Sequence, residues 1–179
     1  RGRILTEMSV VRHAEEHFTL ITAASAQWHD YDVLNSDLPA GLELVDHTKD
    51  FSTLIVTGPK AREVLTKMGT DADLSLGWLT HQAAQVAGQD CALLRVSFAG
   101  ELGWEIHAQN ANMPALYDAV IAAGAKPFGM YALNSLRIEK AYLPCGHPSS
   151  QADSGHDQIP VARYGGMSAW HGHRRTWHQ

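Results

Sequence analysis

The order of strand-like and helix-like segments between residues 52 and 143 limits the folds open to this chain more than any other feature of the sequence. It begins with STLIVTGPKAREVLTKM, in which Leu54 to Val56 predict a strand. Gly58 ends that strand. Pro59 predicts the first turn of a helix that runs to about Met68, because the N–H that proline lacks would have no helical partner in a first turn.

The segments that follow Met68 complete an α+β pattern. They are, in order, strands over 85–86 and 91–98 that meet at Gly88, a return strand over 104–107, a helix in PALYDAVIAA between Asn112 and Gly124, and a helix from Tyr131 to about Leu143. One strand and one helix, followed by three further strands and two helices, predict mostly antiparallel sheets packed with helices.

The chain divides into three parts at the sequence level. In residues 1–48, strands are predicted over 4–12, 17–24 and 42–48, with a short helix over 25–34. The second part, 49–146, carries the α+β pattern. The third, 147–179, has no sustained period and is rich in His, Arg and Trp, which suggests a truncated or frame-shifted product.

Composition excludes several classes of protein. The chain is 45% hydrophobic, as a globular protein is. Its net charge of −5 and the absence of a basic stripe argue against a nucleic-acid partner, and its apolar runs are too short to span a membrane. Two cysteines without a C-x-x-C pair, and no secretory signal, indicate a reducing intracellular compartment. The chain begins at Arg1, which suggests a piece of a longer protein.

Glu101 lies in the segment SFAGELGWEIH, residues 97–107, between two apolar runs. From these residues alone the favoured interpretation is turn chemistry, with Gly100 and Gly103 supplying the positive φ of a tight connection. The alternative is a carboxylate held by two glycines so that it grips a ligand. Both interpretations are open at this point.

Six ordered stretches decide between them by resemblance. They are GRILTEMSVVRH, FTLITAASAQWHDYDVL, VTGPKAREVL, RVSFAGELGWEIH, LYDAVIAAGAKPFGMYALNSLRIEKAYL and CGH. Over about residues 2–147 the chain resembles the folate-binding aminomethyltransferase fold (glycine cleavage T-protein-like), most closely the version at the C-terminal end of dimethylglycine and sarcosine dehydrogenases. The resemblance implies that 1–48 is the C-terminal part of the first folate-binding subdomain and 49–146 a second, ferredoxin-like subdomain.

The resemblance also implies roles for individual residues. Glu101 matches the carboxylate that holds the pterin-like ring of tetrahydrofolate, whose exocyclic amine and adjacent ring N–H are two parallel donors. Glu7 matches the catalytic acid, with glutamate where the aminomethyltransferases usually have aspartate. Phe98 stands where the family often has tyrosine, so it retains a stacking face without the hydroxyl.

Arg137 matches a helical arginine of the family, and Tyr131 on the same helix is a candidate wall of the folate site. For Arg137 three roles stay open: orienting Glu101, holding neighbouring backbone, or meeting the folate tail. Both residues are therefore also predicted to contribute to cofactor binding.

The implied activity is one-carbon transfer. An amine such as dimethylglycine or sarcosine would be oxidised to an iminium ion by a flavin-dependent domain of the parent protein, and tetrahydrofolate bound here would trap it as 5,10-methylene-tetrahydrofolate. The FAD would sit outside this chain, since no G-x-G-x-x-G follows a strand. The location implied is cytoplasmic, or the mitochondrial matrix in a eukaryote.

Three alternatives accompany that prediction. One is a folate-binding or scaffold module that has lost catalysis. Another is a folate-dependent relative in iron–sulfur or tRNA-modification chemistry, which is disfavoured because EKAYLPCGH stands in place of the K-G-C-Y-x-G-Q-E signature. A third is a metal site at His171, His173 and His178, which is disfavoured because no rigid frame for the ligands is apparent; no metal is predicted.

Overall fold

The computed structural model describes residues 5–142, which fall into two compact units, 5–47 and 48–142. The predicted irregular tail at 147–179, with its histidines, lies outside the described residues. So does Leu143, the predicted end of the last helix. Within the described residues that helix ends earlier than predicted, at Glu139.

The first unit is built on a two-stranded antiparallel sheet. Strand β1 (Met8–Arg12) pairs with β2 (Phe18–Thr22), and a short 3₁₀ turn leads into helix α1 (Gln27–Ser36). These elements confirm the two strands and the helix predicted from the sequence, with shorter strands. The predicted third strand is wrong: 42–47 has no regular structure, and Leu42 and Val45 are more than half exposed. Apolar alternation defines a face but supplies no neighbouring strand to pair with.

The second unit contains a four-stranded sheet in the spatial order β3-β6-β5-β4, and every ladder in it is antiparallel. Its strands are β3 (Phe51–Thr57), β4 (His81–Val86), β5 (Gln89–Leu94) and β6 (Gly103–Gln109). The predicted α+β class with mostly antiparallel sheets is therefore confirmed.

Three helices belong to the second unit, namely α2 (Ala61–Met68), α3 (Met113–Ala122) and α4 (Met130–Glu139). Helix α2 begins two residues later than the proline predicted, because Gly58, at φ 120°, starts a turn and the Ala61 N–H donates back to its carbonyl at 3.0 Å. Among residues 5–142, no helix has the length and apolar character needed to cross a bilayer.

The core of the second unit lies between one face of the sheet and helices α2 and α3. Alternate residues of β6, Trp104 and Ile106, are 1% and 0% exposed, and Leu65 of α2 and Leu116 of α3 are both fully buried. The stripe predicted on α3 is confirmed, since Leu116 and Val120 are buried while Ala119 and Ala123 pack at its margin. A strand therefore contributes every second residue to the core and each helix one stripe.

Strand β5 ends at Leu94, four residues before the predicted end. Its pairing with β6 covers only 92–94 against 105–107. Beyond that point Arg95 pairs with the segment before β4 instead, donating its N–H to the Thr80 carbonyl at 2.8 Å. Residues 95–102 therefore form the connection from β5 to β6, and we call them the 95–102 loop.

Replacing Leu116 by Ala tests this core. We expect Leu116→Ala to lower the free energy of unfolding by about 2–5 kcal/mol, because it leaves a cavity under the sheet. The matched control is Ile121→Ala on the same helix, where the side chain is 37% exposed and a loss of about 1 kcal/mol or less is expected. Urea denaturation of both variants provides the measurement, and equal losses would contradict the assignment of the α3 face.

Candidate functional site

The 95–102 loop is anchored along its length. The Gly58 N–H donates to the Leu102 carbonyl at 2.8 Å, and the Glu101 N–H donates to Ser97 Oγ at 3.2 Å. Ser97 is 9% exposed and Ala99 is fully buried. A loop with buried residues and internal hydrogen bonds presents its remaining side chains in a fixed geometry.

Arg95 ties the beginning of the loop to its end. Its Nη1 donates to the Gly103 carbonyl at 3.1 Å, and its guanidinium lies 4.8 Å from the centre of the Trp104 ring. Arg62 of α2 lies 5.7 Å from the same ring centre. Desolvation, and then repulsion from Arg62, lower the pKa of Arg95 from its usual value, although the group stays cationic at physiological pH.

The two glycines near Glu101, Gly100 and Gly103, are needed for different structural reasons. Gly100 has φ 76°, as predicted for a turn glycine, and a Cβ there would lie 2.2 Å from Lys140 Cγ. Gly103 does not have a positive φ, which corrects the prediction made for it. Its function is to allow close approach, because a Cβ there would lie 3.1 Å from both Thr57 Oγ1 and the Val56 carbonyl oxygen.

Glu101 carries the carboxylate at the centre of this site. Its side chain is 34% exposed, and Oε1 lies 3.2 Å from Nζ of Lys140. Oε2 has no partner among residues 5–142. One oxygen of the carboxylate is thus paired with a cation, and the other is available to a ligand.

Phe98 and Arg137 also meet at this loop. The Phe98 side chain is 38% exposed, and the Arg137 guanidinium lies 6.0 Å from its ring centre. Arg137 also donates from Nη1 to the Tyr142 carbonyl at 2.6 Å, so of the three open roles the contact present is with neighbouring backbone. Burial raises the pKa of Tyr142 to about 12, so its phenol stays protonated near neutral pH.

The C-terminal end of α4 supplies two further cations, Arg137 and Lys140. Arg137 and Lys140 are three residues apart, so they lie on one side of the helix end and both reach the 95–102 loop. Basic side chains at this end are also favoured by the helix dipole. Sequence reasoning selected Arg137 and missed Lys140, although the i, i+3 spacing was a signal for it.

The other two predicted residues take no part in these contacts. Tyr131, in the first turn of α4, is 95% exposed. Glu7 belongs to the first unit, where it is exposed just before β1, and its segment is held to α1 by His29 Nε2 at 2.8 Å from the Leu5 carbonyl oxygen. The structure brings Glu101, Phe98 and Arg137 together at one loop. The binding or catalytic roles of all five residues stay predictions.

A second polar group lies on the outer face of the sheet and was not predicted. His107 Nε2 is 2.9 Å from Glu105 Oε2, and its Nδ1 is 3.1 Å from Thr53 Oγ1 on the paired strand β3. These partners are cross-strand and same-strand neighbours, so the pairing follows from the register. Residues 5–142 contain no group of three or more His, Cys, Asp or Glu placed to hold a metal ion.

Comparison with known proteins gives the family. The family model described as the GCVT N-terminal domain matches residues 1–158. The chain belongs to the GCVT N-terminal domain family. The ordered motifs that suggested an aminomethyltransferase-like fold are thereby confirmed as a family assignment.

Relatives of this GCVT domain occur in larger proteins. Human mitochondrial dimethylglycine dehydrogenase is 35% identical over 156 residues, which is 82% of this chain and 18% of that protein. Mouse mitochondrial sarcosine dehydrogenase is 36% identical over 135 residues, 70% of this chain and 15% of the relative. An aminomethyltransferase from Listeria innocua serovar 6a is 30% identical over 154 residues, 84% of this chain and 42% of the relative. The chain spans less than half the length of each.

A solved structure shares the fold of the GCVT domain. The heterotetrameric sarcosine oxidase from Corynebacterium sp. U-96, in complex with pyrrole 2-carboxylate, aligns with a TM-score of 0.53 and 19% identity over 70% of this chain and 65% of that chain. At this identity the likeness concerns the fold alone, and it agrees with the antiparallel α+β architecture described above.

The close contact at Gly100 of this GCVT domain gives a stability prediction. We expect Gly100→Ala to cost about 1–2 kcal/mol of backbone strain and a further ~1–3 kcal/mol because the new methyl group must displace Lys140. Gly88→Ala is the matched control, since its φ of 72° is similar and nothing lies within 4 Å of the new Cβ. Chemical denaturation that gave both variants the same loss would show that Lys140 does not pack against Gly100.

Proposed function

We propose that this chain binds tetrahydrofolate through Glu101 and that it does so as part of a longer amine-demethylating enzyme of the dimethylglycine and sarcosine dehydrogenase type. The observation that carries the proposal is the Oε2 atom of Glu101, which has no partner among residues 5–142 and lies on a loop anchored at both ends. The names of the relatives support the class of enzyme.

The donor set of the site fits a pterin-like ring. Such a ring presents two parallel N–H donors, and an ionised carboxylate is an acceptor suited to paired donors. The half-exposed face of Phe98 provides an aromatic surface beside the carboxylate for stacking. Arg137 lies near the same ring and is held by the Tyr142 carbonyl, so it stabilises the position of the loop without competing for the carboxylate.

Tetrahydrofolate, when bound, supplies the nitrogen atoms that accept a one-carbon unit, giving 5,10-methylene-tetrahydrofolate. The residues of this chain bind and orient it: Glu101 accepts from the ring, and Phe98 limits its tilt. Glu7 would hold or release a proton at its carboxylate as a general acid–base group. The flavin-dependent amine oxidation would belong to another region of the longer protein, located in the mitochondrial matrix or the cytoplasm.

A binding or scaffold module without catalysis is the second candidate. Phe98 favours it, because this ring cannot supply the hydroxyl of the tyrosine that the family often has. The two candidates separate on turnover: both bind tetrahydrofolate, but only the first forms methylene-tetrahydrofolate in the longer protein.

Glu101→Gln tests the proposed contact. The amide loses the charge and directs an NH₂ group towards the ring donors, so tetrahydrofolate affinity should fall at least about tenfold. The free energy of unfolding should fall by about 1 kcal/mol or less, because the ion pair with Lys140 is one-third exposed. Calorimetric titration and a thermal midpoint on the same sample measure both quantities.

Glu105→Gln is the control for that variant. It makes the same chemical change four residues away, where the carboxylate is paired with His107 rather than facing the loop. We expect its tetrahydrofolate affinity to stay within about twofold of the unmodified chain. Equal losses in the two variants would indicate general electrostatics, and no loss in Glu101→Gln would refute the assignment.

Glu7→Gln tests the acid–base role in the full-length parent protein. Formation of 5,10-methylene-tetrahydrofolate should slow by about 100-fold or more, because positioned proton transfer contributes that much, while flavin reduction by the amine should be unchanged. Glu16→Gln, an exposed glutamate in the turn between β1 and β2, is the matched control. Single-turnover kinetics measures the two steps separately, and an unchanged rate in Glu7→Gln would remove it from the mechanism.

A further inference from the structure

We propose that Lys140 is a positioning residue for ligand binding, which holds the Glu101 carboxylate so that Oε2 faces the ligand. The proposal rests on the proposed function, since it assigns a role to a neighbour of the same carboxylate. It is carried by the 3.2 Å contact between Lys140 Nζ and Glu101 Oε1.

The stem of Lys140 is packed against the loop backbone. A Cβ at residue 100 would lie 2.2 Å from Cγ and 2.8 Å from Cβ of Lys140, so the lysine occupies the space that a side chain at Gly100 would need. The Lys140 N–H donates to the Arg137 carbonyl at 3.1 Å, which fixes the backbone where the stem begins. The side chain is therefore partly ordered before it meets Glu101, and the entropic cost that weakens most surface ion pairs is reduced.

The ion pair restricts rotation of the Glu101 carboxylate. The backbone N–H of Glu101 is held by Ser97 Oγ at 3.2 Å, so backbone and carboxylate are each fixed at one point. With Oε1 engaged by the ammonium group, Oε2 keeps its full acceptor capacity for a ligand. A ligand with N–H donors then meets an acceptor that is already oriented, and less ordering has to accompany binding.

Lys140 does not prevent two donors from binding. A carboxylate oxygen has two lone-pair sites, so Oε1 accepts from the ammonium group and still has capacity for one ligand N–H. Oε2 accepts the other. The side chains of Lys140 and Glu101 are 33% and 34% exposed, which leaves this edge of the pair accessible. Lys140 therefore acts on the ligand through Glu101.

A double-mutant cycle on the 179-residue chain tests the proposal, with tetrahydrofolate titrated into the unmodified chain, Lys140→Met, Glu101→Gln and the double variant. Lys140→Met should weaken binding by roughly fivefold, since it removes the charge and keeps the apolar stem. In the Glu101→Gln background the same change should alter the affinity by less than about twofold, because the carboxylate it positions is gone. Lys140→Arg should recover most of the affinity.

Four results overturn the positioning role. Equal weakening by Lys140→Met in both backgrounds would mean that the lysine contacts the ligand itself. Tighter binding by Lys140→Met would mean that it competes with the ligand. No change with Lys140→Met, alongside a loss with Glu101→Gln, would refute the lysine's role and leave the proposed function standing. No loss with Glu101→Gln would refute both together.

Discussion

The antiparallel pairing of β3 with β6 is the constraint on which the rest of the second unit depends. Its register runs from Phe51 opposite Gln109 to Thr57 opposite Gly103. One face of β6 then places Trp104 and Ile106 in the core, where α2 and α3 cover them. At the end of the same ladder the Gly58 N–H reaches the Leu102 carbonyl. The pairing that builds the core therefore also fixes where the 95–102 loop ends.

The close approach of other segments to Gly100 and Gly103 then determines which side chains meet at this loop. Gly103 has space for β3 only because it lacks a Cβ, and Gly100 leaves room for the stem of Lys140 in the same way. Because each glycine lacks a side chain, another part of the chain can contact its backbone closely. The result is that the carboxylate of Glu101 and the ring of Phe98 lie beside two cations from the end of α4. A site assembled in this manner depends on tertiary packing more than on the flexibility usual for exposed turns.

The family assignment and the geometry bear on function at different levels. Membership in the GCVT N-terminal domain family follows from the match over residues 1–158 and from relatives that are 30–36% identical. The proposed choice of ligand rests on Glu101 and Phe98, because a shared fold alone hosts many chemistries. The catalytic proposal rests on Glu7 in the other unit and on a longer protein, of which this chain matches a part.

The sequence by itself determined the α+β class and most elements of both units, because periodicity is a local property of the chain. Its ordered motifs also selected Glu101, Phe98 and Arg137, whose roles stay predictions. It placed a strand at 42–48 and extended β5 past Leu94, since alternation does not reveal which strand is available for pairing. The 3.2 Å pairing of Lys140 with Glu101 joins residues 39 positions apart. Only the tertiary structure decided that contact, because it requires the end of α4 to lie beside Gly100, where the missing side chain leaves room for Lys140.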